Sequence, residues 1–441
     1  MARGESIVRH GSTTRASTTR GTRGGTRAAG RVLLVVPSST YRAPDFLTAA
    51  RRLGLEVVVA STDEPVLPQV MGDHYLTLPL DDPEATADAI VEHDRRIPFD
   101  AVVAVDDAGA VGAALASERL GLPHNPPDAV AAARDKLEMR MRLDAAEVSQ
   151  PSFAVLSPEA DAEEAARIAL SIGYPCVIKP TTLSSSQGVI RANDAPEAVE
   201  AAKRVRPIAV EAGVKADAPL LVEKFVGGPE VAIEGMLDQG ELTTLAVFDK
   251  PDPLNGPYFE ETIYVTPSRL PAKDVQQATS TASSAARALG LRTGPIHAEV
   301  RIENGRAMVV EIAARTIGGL CSRALLFANS STLEELVLAQ ALGHGPSRET
   351  RERQSSGVLM IPIPRAGTFV SLEGADKALS VPGVVGVETT IATGRFVAPV
   401  PEGNRYLGFV FARGDSPDLV EASLREAQRN LDVRIEPTER G

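Results

Sequence analysis

At 441 residues the chain has the length for about three domains, and 43% hydrophobic content with 24% charge is typical of a water-soluble globular protein. A net charge of −12, 4% aromatics and no Trp argue against a nucleic-acid binder, which needs a basic face and rings to stack bases. No apolar run nears the ~20 residues of a membrane helix, and Cys176 and Cys321 form no CxxC pair, so a reduced, cytoplasmic protein without structural zinc is expected.

Residues 1–30 are Arg, Ser, Thr and Gly with almost no apolar side chains, too little to fold, and predict a disordered extension whose composition imitates a transit peptide. From residue 31 the pattern becomes strand, loop, helix, strand. Arg31–Val36, Leu55–Ala60 and Phe99–Val105 read as buried parallel strands, with helices near Pro44–Leu53 and after Asp106-Asp107. This predicts an open Rossmann-like α/β domain over 31–124, with ligands beyond the strand carboxyl ends, near Pro37–Tyr41 and Asp106–Gly109. Asp106-Asp107 suits either a substrate pocket or capping. No GxGxxG follows the first strand, so a dinucleotide-dependent dehydrogenase is poorly supported. Asn125-Pro126-Pro127 opens a connecting helix (125–149) predicted to run unbroken to about Ala146 and to carry Asp135-Lys136.

A smaller α/β segment is expected over 150–219. Its strand Tyr174–Lys179 leads into Thr181–Gly188, a small hydroxylated loop whose N–H groups and hydroxyls suit phosphate oxygens, with Lys179 as a point charge beside them. GxxxxGK[ST] is absent, and a plain flexible turn has the same composition. A core over 220–345 opens with strands Leu220–Val226, Val231–Leu237 and Glu241–Phe248. The long loop 249–264, rich in Pro and Gly and carrying Glu260-Glu261, has the character of a lid. Helix Lys273–Leu289, stopped by Gly290, leads to His297–Arg315.

That stretch alternates as two strands around Glu303-Asn304-Gly305. A two-residue Asn-Gly turn would pair Ala298 with Glu311 and put that carboxylate on the apolar face. A three-residue turn with a G1 bulge pairs His297 with Glu311 and Val300 with Met308, and is the expected register. It leaves Ala298, Val300, Ile302, Met308, Val310 and Ile312 on one face and His297, Glu299, Arg301 and Glu311 on the other. Glu299 and Glu311 become diagonal neighbours, roughly 7 Å apart at the backbone, within joint reach of one small cation. A solvated sheet face carrying ordinary charges would look similar. Thr316–Ala324 is a glycine loop, and Ser331-Thr332-Leu333-Glu334 reads as a capping box opening a helix that ends at Gly343. After a polar linker, Pro346–Arg353, the segment 346–441 reads as an α+β cap, with strands near Gly357–Ile363, Gly383–Thr390 and Leu407–Arg413 and a helix near Pro417–Leu431.

From residue 31 onward this set resembles the ATP-grasp superfamily, through Asp135-Lys136, Val177-Ile178-Lys179-Pro180, the Ser-rich flap, the hinge-like Val222–Glu230 and the Glu299/Glu311 pair. The resemblance implies a multidomain α/β and α+β fold: an ATP-grasp body with an N-terminal Rossmann-like domain and a C-terminal α+β cap. By the same resemblance, Lys136 and Lys179 would contact the α- and β-phosphates, and Ser184, Ser185, Ser186, Gln187 and Gly188 would close over the nucleotide. Glu223, Lys224, Phe225 and Val226 would read adenine, partly through backbone groups, and Glu230 the ribose. Glu299 and Glu311 would hold Mg²⁺, as one ion or two, with Mn²⁺ as a substitute. Many members place Asn two residues after the second metal carboxylate; here it is Ala313, which leaves one ligand position open.

Glu311–Arg315 with Gly318–Arg323, Gly256–Glu261 and Gly294–Glu299 is similar to the L-amino-acid ligases that make dipeptides, of the bacilysin and carnosine type. That branch implies an ADP-forming carboxylate–amine ligase acting through an acyl phosphate. Arg315 would sit at the reacting centre, and Glu260 or Glu261 would meet a substrate ammonium. Cys321 reads as a packing residue, having no base beside it in sequence. The alternatives are a bicarbonate-using ligase of the same superfamily and a non-catalytic nucleotide-binding regulator. Partners are expected to be small molecules, an amino acid or related carboxylate plus an amine; no nucleic acid or membrane is expected, and a homodimer is compatible.

Overall fold

The computed structural model describes residues 29–437 apart from Ser39, 65–71 and 345–350. The disordered extension expected over 1–30 therefore lies almost wholly outside the described residues, as does most of the linker expected at 346–353. No helix among the described residues is long and apolar enough to cross a membrane.

The first unit runs β1 (Arg31–Val35), α1 (Ala43–Arg52), β2 (Glu56–Ser61), β3 (Tyr75–Thr77), α2 (Pro83–Asp94), β4 (Ala101–Ala104), α3 (Ala110–Leu120). Its strands are parallel in the order β3-β2-β1-β4, and Val32, Leu33, Leu34 and Val35 are fully buried, as covering helices on both faces require. The loops after β1 and β4 carry Tyr41-Arg42 and Asp106-Asp107 toward the rest of the molecule. Buried Arg42 donates to the Val105 carbonyl (2.8 Å) and to the Thr316 hydroxyl, clamping both loops to the distant glycine loop.

The connecting helix is broken where one helix was expected. α4 (Pro127–Arg134) stops at Asp135, which is extended (φ −101°, ψ 110°), and α5 (Lys136–Ala145) starts beyond it. The cause is Asp135, whose carboxylate accepts from Leu137 N (2.8 Å) and Glu138 N (3.1 Å), the donors left orphaned by a helix start. Lys136 thereby sits at the head of a new helix.

A small antiparallel sheet, β5-β8-β6-β7, follows from β5 (Phe153–Leu156), α6 (Ala162–Ile172), β6 (Cys176–Pro180), β7 (Ile190–Ala192), α7 (Ala195–Glu211) and β8 (Leu220–Lys224). Then come β9 (Glu230–Asp238), β10 (Glu241–Asp249), β11 (Ile263–Thr266), α8 (Ala272–Leu289), β12 (Gly294–Glu303), β13 (Arg306–Ala313) and α9 (Leu333–Ala341). One face of the central sheet packs on α8 through Ala278, Ala282, Ala285, Ala286 and Leu289, whose small side chains let the helix lie close over Val231, Ile233, Val300 and Val309. Each Val, Ile or Leu so buried contributes about 1.5–3 kcal/mol. The N-cap of α9 is Thr332 with Glu335 in a reciprocal capping box, one residue later than expected.

The last segment has β14 (Ser355–Ile361), β15 (Gly367–Glu373), α10 (Ala375–Leu379), β16 (Val384–Thr389), β17 (Phe396–Val397), β18 (Gly408–Gly414), α11 (Pro417–Asn430) and β19 (Asp432–Glu436). Three of its strands continue the central sheet, whose order is β13-β12-β9-β10-β11-β14-β18-β16; β17-β15-β19 form a separate sheet. Tyr406, in the loop before β18, thus lines the same cleft as β12 and β13, with Phe409 of β18 packed behind it.

Candidate active site

The hairpin β12–β13 takes neither proposed register whole. Glu303 pairs with Arg306 around a two-residue Asn304-Gly305 turn with both φ positive (51° and 75°), the primed geometry that matches strand twist. The expected three-residue turn is therefore wrong. Farther along, the register shifts by one between Glu299 and Val300, a β-bulge that leaves Val310 extra. The bulge returns Glu311 to the face of Glu299, and the two residues pair directly across the strands rather than diagonally. The buried face is Ala298, Val300, Ile302, Ala307, Val309 and Ile312; Met308 and Val310 are not on it.

The bulge has a dedicated partner. Fully buried Arg140, one turn after Lys136 on α5, donates to the carbonyls of Val309 (3.3 Å) and Val310 (2.6 Å) and from Nε to Glu223 (2.7 Å). The other Glu223 oxygen pairs with Lys179 (2.7 Å). Burial raises the Glu223 carboxyl, but Arg140 and Lys179 outweigh it and hold it at about 2. Burial pulls Lys179 below the ordinary lysine value against the opposing pull of Glu223. The Glu223 side chain is thus spent on positioning Lys179, so any base reading at the hinge falls to 224–226.

One cavity of about 160 Å³ gathers most of the expected residues: Lys136, Lys179, Ser184, Ser185, Ser186, Glu223, Lys224, Phe225, Val226, Glu230, Glu261, Glu299, Glu311 and Arg315. Lys136 Nζ donates to the Leu183 carbonyl (2.6 Å) and to Glu311 (3.2 Å). Arg191 and Arg301 lie over the Phe225 ring, at 4.3 and 5.2 Å from its centroid. Gly228 brings the hinge against β12 so closely that a Cβ there would lie 2.1 Å from the Ile302 carbonyl oxygen. Three expected residues do not line the cavity. Gln187 donates to the Glu402 carbonyl (2.9 Å) and Gly188 N to Pro401 (2.8 Å), so the flap is latched to the loop before β18. Glu260 lies outside as well, with its carboxyl raised by burial; of the two lid acids, Glu261 is the one that points inward.

Sequence reasoning missed Lys250, which directly follows β10. Glu230, Glu261 and Glu299 each place an oxygen within 4.8 Å of the others, and buried Lys250 Nζ sits among them at 2.6, 2.5 and 3.2 Å. A lone lysine heading a Pro-rich loop was the available signal. Burial opposes the charge, yet the three acids keep Lys250 cationic, and Lys250 with His297 holds Glu299 well below the carboxylate range. Glu261 also accepts from the Tyr264 hydroxyl (2.6 Å). Glu230 spends one oxygen on Lys250 and the other on Arg301 (2.6 Å), though each keeps a lone pair for a further donor. Replacing Lys250 by Met leaves three acids facing one another. The variant should gain a melting temperature that rises by several degrees with millimolar Mg²⁺ or Ca²⁺ in the absence of nucleotide; a melt insensitive to both ions would show that the acids do not form one cation-demanding cluster.

A second missed element is the pair Glu234–His297, cross-strand neighbours on β9 and β12. His297 Nδ1 donates to Glu234, whose other oxygen accepts from Ile317 N (3.0 Å), while Nε2 lies 3.4 Å from Glu299. Burial lowers the imidazole pKa, but Glu234 and Glu299 win and raise it to about 9. A raised histidine pKa adds stability that is complete below the unfolded value near 6.5 and is lost as pH climbs through 9. His297→Gln should therefore destabilise the protein by about 2–3 kcal/mol at pH 6 and by little at pH 10. Melting curves of both proteins across that range check it; a pH-independent difference would contradict the charged histidine.

Arg315 places Nε 2.8 Å from Asp107 and donates from Nη1 to the Thr316 carbonyl (3.0 Å). It is half-buried, and Asp107 reinforces its charge against the desolvation. The glycine loop beyond it is tied down by Glu234 and by Arg42. Burial drives the Cys321 thiol far up, as befits a packing residue.

Residues 47–124 match the ATP-grasp N-terminal domain family, 172–324 the ATP-grasp domain and 359–436 the L-amino acid ligase C-terminal domain 2. The chain is 26% identical over 298 residues to the Sinorhizobium fredii protein y4rH, covering 67% of this chain and 60% of that one. It is 31% identical over 164 residues to the alanine–anticapsin ligase of Bacillus subtilis, covering 33% and 34%, and 25% identical over 262 residues to dapdiamide A synthase of Enterobacter agglomerans, covering 57% and 61%. The matches thus span under two thirds of these relatives. The L-amino acid ligase from Bacillus licheniformis superposes with a TM-score of 0.76 at 26% identity, covering 93% of this chain and 100% of that one. N5-carboxyaminoimidazole ribonucleotide synthetase from Thermotoga maritima shares the fold at a TM-score of 0.67 and 16% identity, covering 92% and 100%. The chain belongs to the ATP-grasp superfamily, with a C-terminal domain of the L-amino acid ligase type.

Proposed function

We propose that this protein is an ATP-dependent, ADP-forming ligase that joins an amino-acid carboxylate to an amine, itself an amino acid, through an acyl phosphate. The observation that carries the reading is the convergence of Glu299 and Glu311, face to face, with Lys136, Lys179 and Arg315 on one cavity. The likeness to ligases of amino acids supports it. Two opposed carboxylates on rigid strands are a donor set that fits Mg²⁺ bound with nucleotide phosphates; when bound, the ion would neutralise phosphate charge. Lys136 and Lys179 would meet the phosphates under the Ser184–Ser186 flap, whose latch to residues 401–402 keeps water from the acyl phosphate. The substrate carboxylate and the γ-phosphate are both anionic, and Arg315 supplies a fixed planar cation where they meet. A carboxylate oxygen attacks the γ-phosphorus and ADP leaves; the amine nitrogen then attacks the acyl carbon and phosphate leaves. Glu261 would receive a substrate ammonium beside Tyr264 and Tyr406.

The test is phosphate release from ATP and Mg²⁺ with pooled amino acids, with ADP separated from AMP and products weighed by mass spectrometry. Release that needs amino acids, with ADP and a condensed product, is expected. Release with bicarbonate alone would favour a carboxylase-type ligase, and no turnover with any pool would favour a regulator.

A further inference from the structure

Resting on the ligase reading, a second cavity has a place in it. About 120 Å³ of space lies at the seam between the N-terminal unit and the core, walled by Ala104, Ala110, Ala113, Ala114, Val337 and Ala341. Arg315 lines this cavity and the main one, so the residue forms part of the wall of each. Asp106 lines it too, and is the less committed of the paired acids: its cation partner, Arg42, is 3.6 Å away, whereas Asp107 is held by Arg315 at 2.8 Å. Gln340 closes another part of the wall. It is buried, its Nε2 donates to the Leu237 carbonyl (2.5 Å), and its Oε1 has no donor. The unmet Gln340 acceptor and the Asp106 carboxylate call for a donor in this cavity, beside a wall of small apolar side chains.

We propose that this cavity is the subsite for the amine partner, an α-amino acid whose apolar side chain fills the alanine-lined chamber while its ammonium meets Asp106. A cavity of ~150 Å³ takes a benzene ring, so a side chain of about four or five heavy atoms fits, and a terminal hydroxyl or amide N–H would satisfy Gln340. The position suits the chemistry, because the nucleotide and the carboxylate substrate share the main cavity and the nucleophile approaches Arg315 from the other side. One ammonium proton passes to Asp106, which is 31% exposed at its side chain and can return it to solvent. The nitrogen lone pair then forms the C–N bond, the bond from the acyl carbon to the phosphoryl oxygen breaks with its electron pair, and the second proton leaves with the phosphate.

Hydroxylamine, a nucleophile too small to use the chamber, separates this proposal from the ligase reading. With ATP, Mg²⁺ and a carboxylate substrate, the wild-type amine KM should fall from glycine through alanine to valine and leucine and rise again at tryptophan. In Ala110→Leu, at a half-exposed wall position, the rate with leucine relative to hydroxylamine in the same preparation should drop at least tenfold. Hydroxamate formation together with an amine KM indifferent to side-chain size, or an unchanged ratio in the variant, would overturn the subsite. Absence of hydroxamate with every carboxylate would overturn the ligase reading, and the subsite with it.

Discussion

Glu299→Gln and Glu311→Gln should each lower kcat by at least about 10³-fold, the scale at which loss of a group holding a catalytic cation is felt. Gln is isosteric with Glu and keeps the hydrogen-bonding outline of the strand pair, so the fold should persist, with melting temperatures within a few degrees of wild type. The two changes differ in what they disturb. Glu299 faces Lys250 at 3.2 Å and His297 at 3.4 Å, whereas Glu311 has one ion pair among the described residues, Lys136 at 3.2 Å. E299Q should therefore lose more stability than E311Q, although both lose turnover. Steady-state kinetics with thermal melts decides the matter: turnover retained in either variant would remove the metal pair, and with it the role given to the bulge that sets the two carboxylates opposite each other.

Arg315→Lys should lower kcat by about 10²–10³-fold while the KM for ATP changes little. Lysine keeps the charge but cannot span two oxygens of an acyl phosphate. The structure sharpens this expectation, because Arg315 also holds Asp107 at 2.8 Å and so bridges the core to the N-terminal unit. A purely bracing arginine would make Asp107→Asn as damaging as Arg315→Lys. In the present account D107N weakens only the orientation of the guanidinium and should lose about tenfold. Equal losses in the two variants, or a normal kcat in R315K, would move Arg315 away from the reacting centre.

The order of elements was legible because it depends on local pattern. Buried β1, the Ala-rich α8 and the alternating β12 and β13 each announce themselves within one short window. What stayed hidden depends on partners far away in sequence. The Asn304-Gly305 turn points to a two-residue hairpin, and it was set aside because it seemed to turn Glu311 into the core. No local signal shows that Val310 bulges, since the bulge is held by Arg140, 170 residues earlier. Asp135 caps the restarted helix, but a capping residue inside a helical pattern does not announce a break, and the contacts of Lys136 with Leu183 and Glu311 that the break serves lie far away in sequence. Lys250 reads as one more solvated charge until two strands and the lid loop bring Glu230, Glu299 and Glu261 around it. Likewise, the lid acids cannot be told apart by sequence, because the Tyr264 hydroxyl and Lys250 are what turn Glu261 inward.

The acyl phosphate is the centre of this account, and isotope transfer tests it most directly. An amino-acid substrate identified by phosphate release is labelled with ¹⁸O in both carboxylate oxygens and turned over with unlabelled ATP. One ¹⁸O is expected in each molecule of released phosphate, since the carboxylate oxygen that attacks the γ-phosphorus leaves with it. Phosphate free of label, with the dipeptide formed, would contradict it.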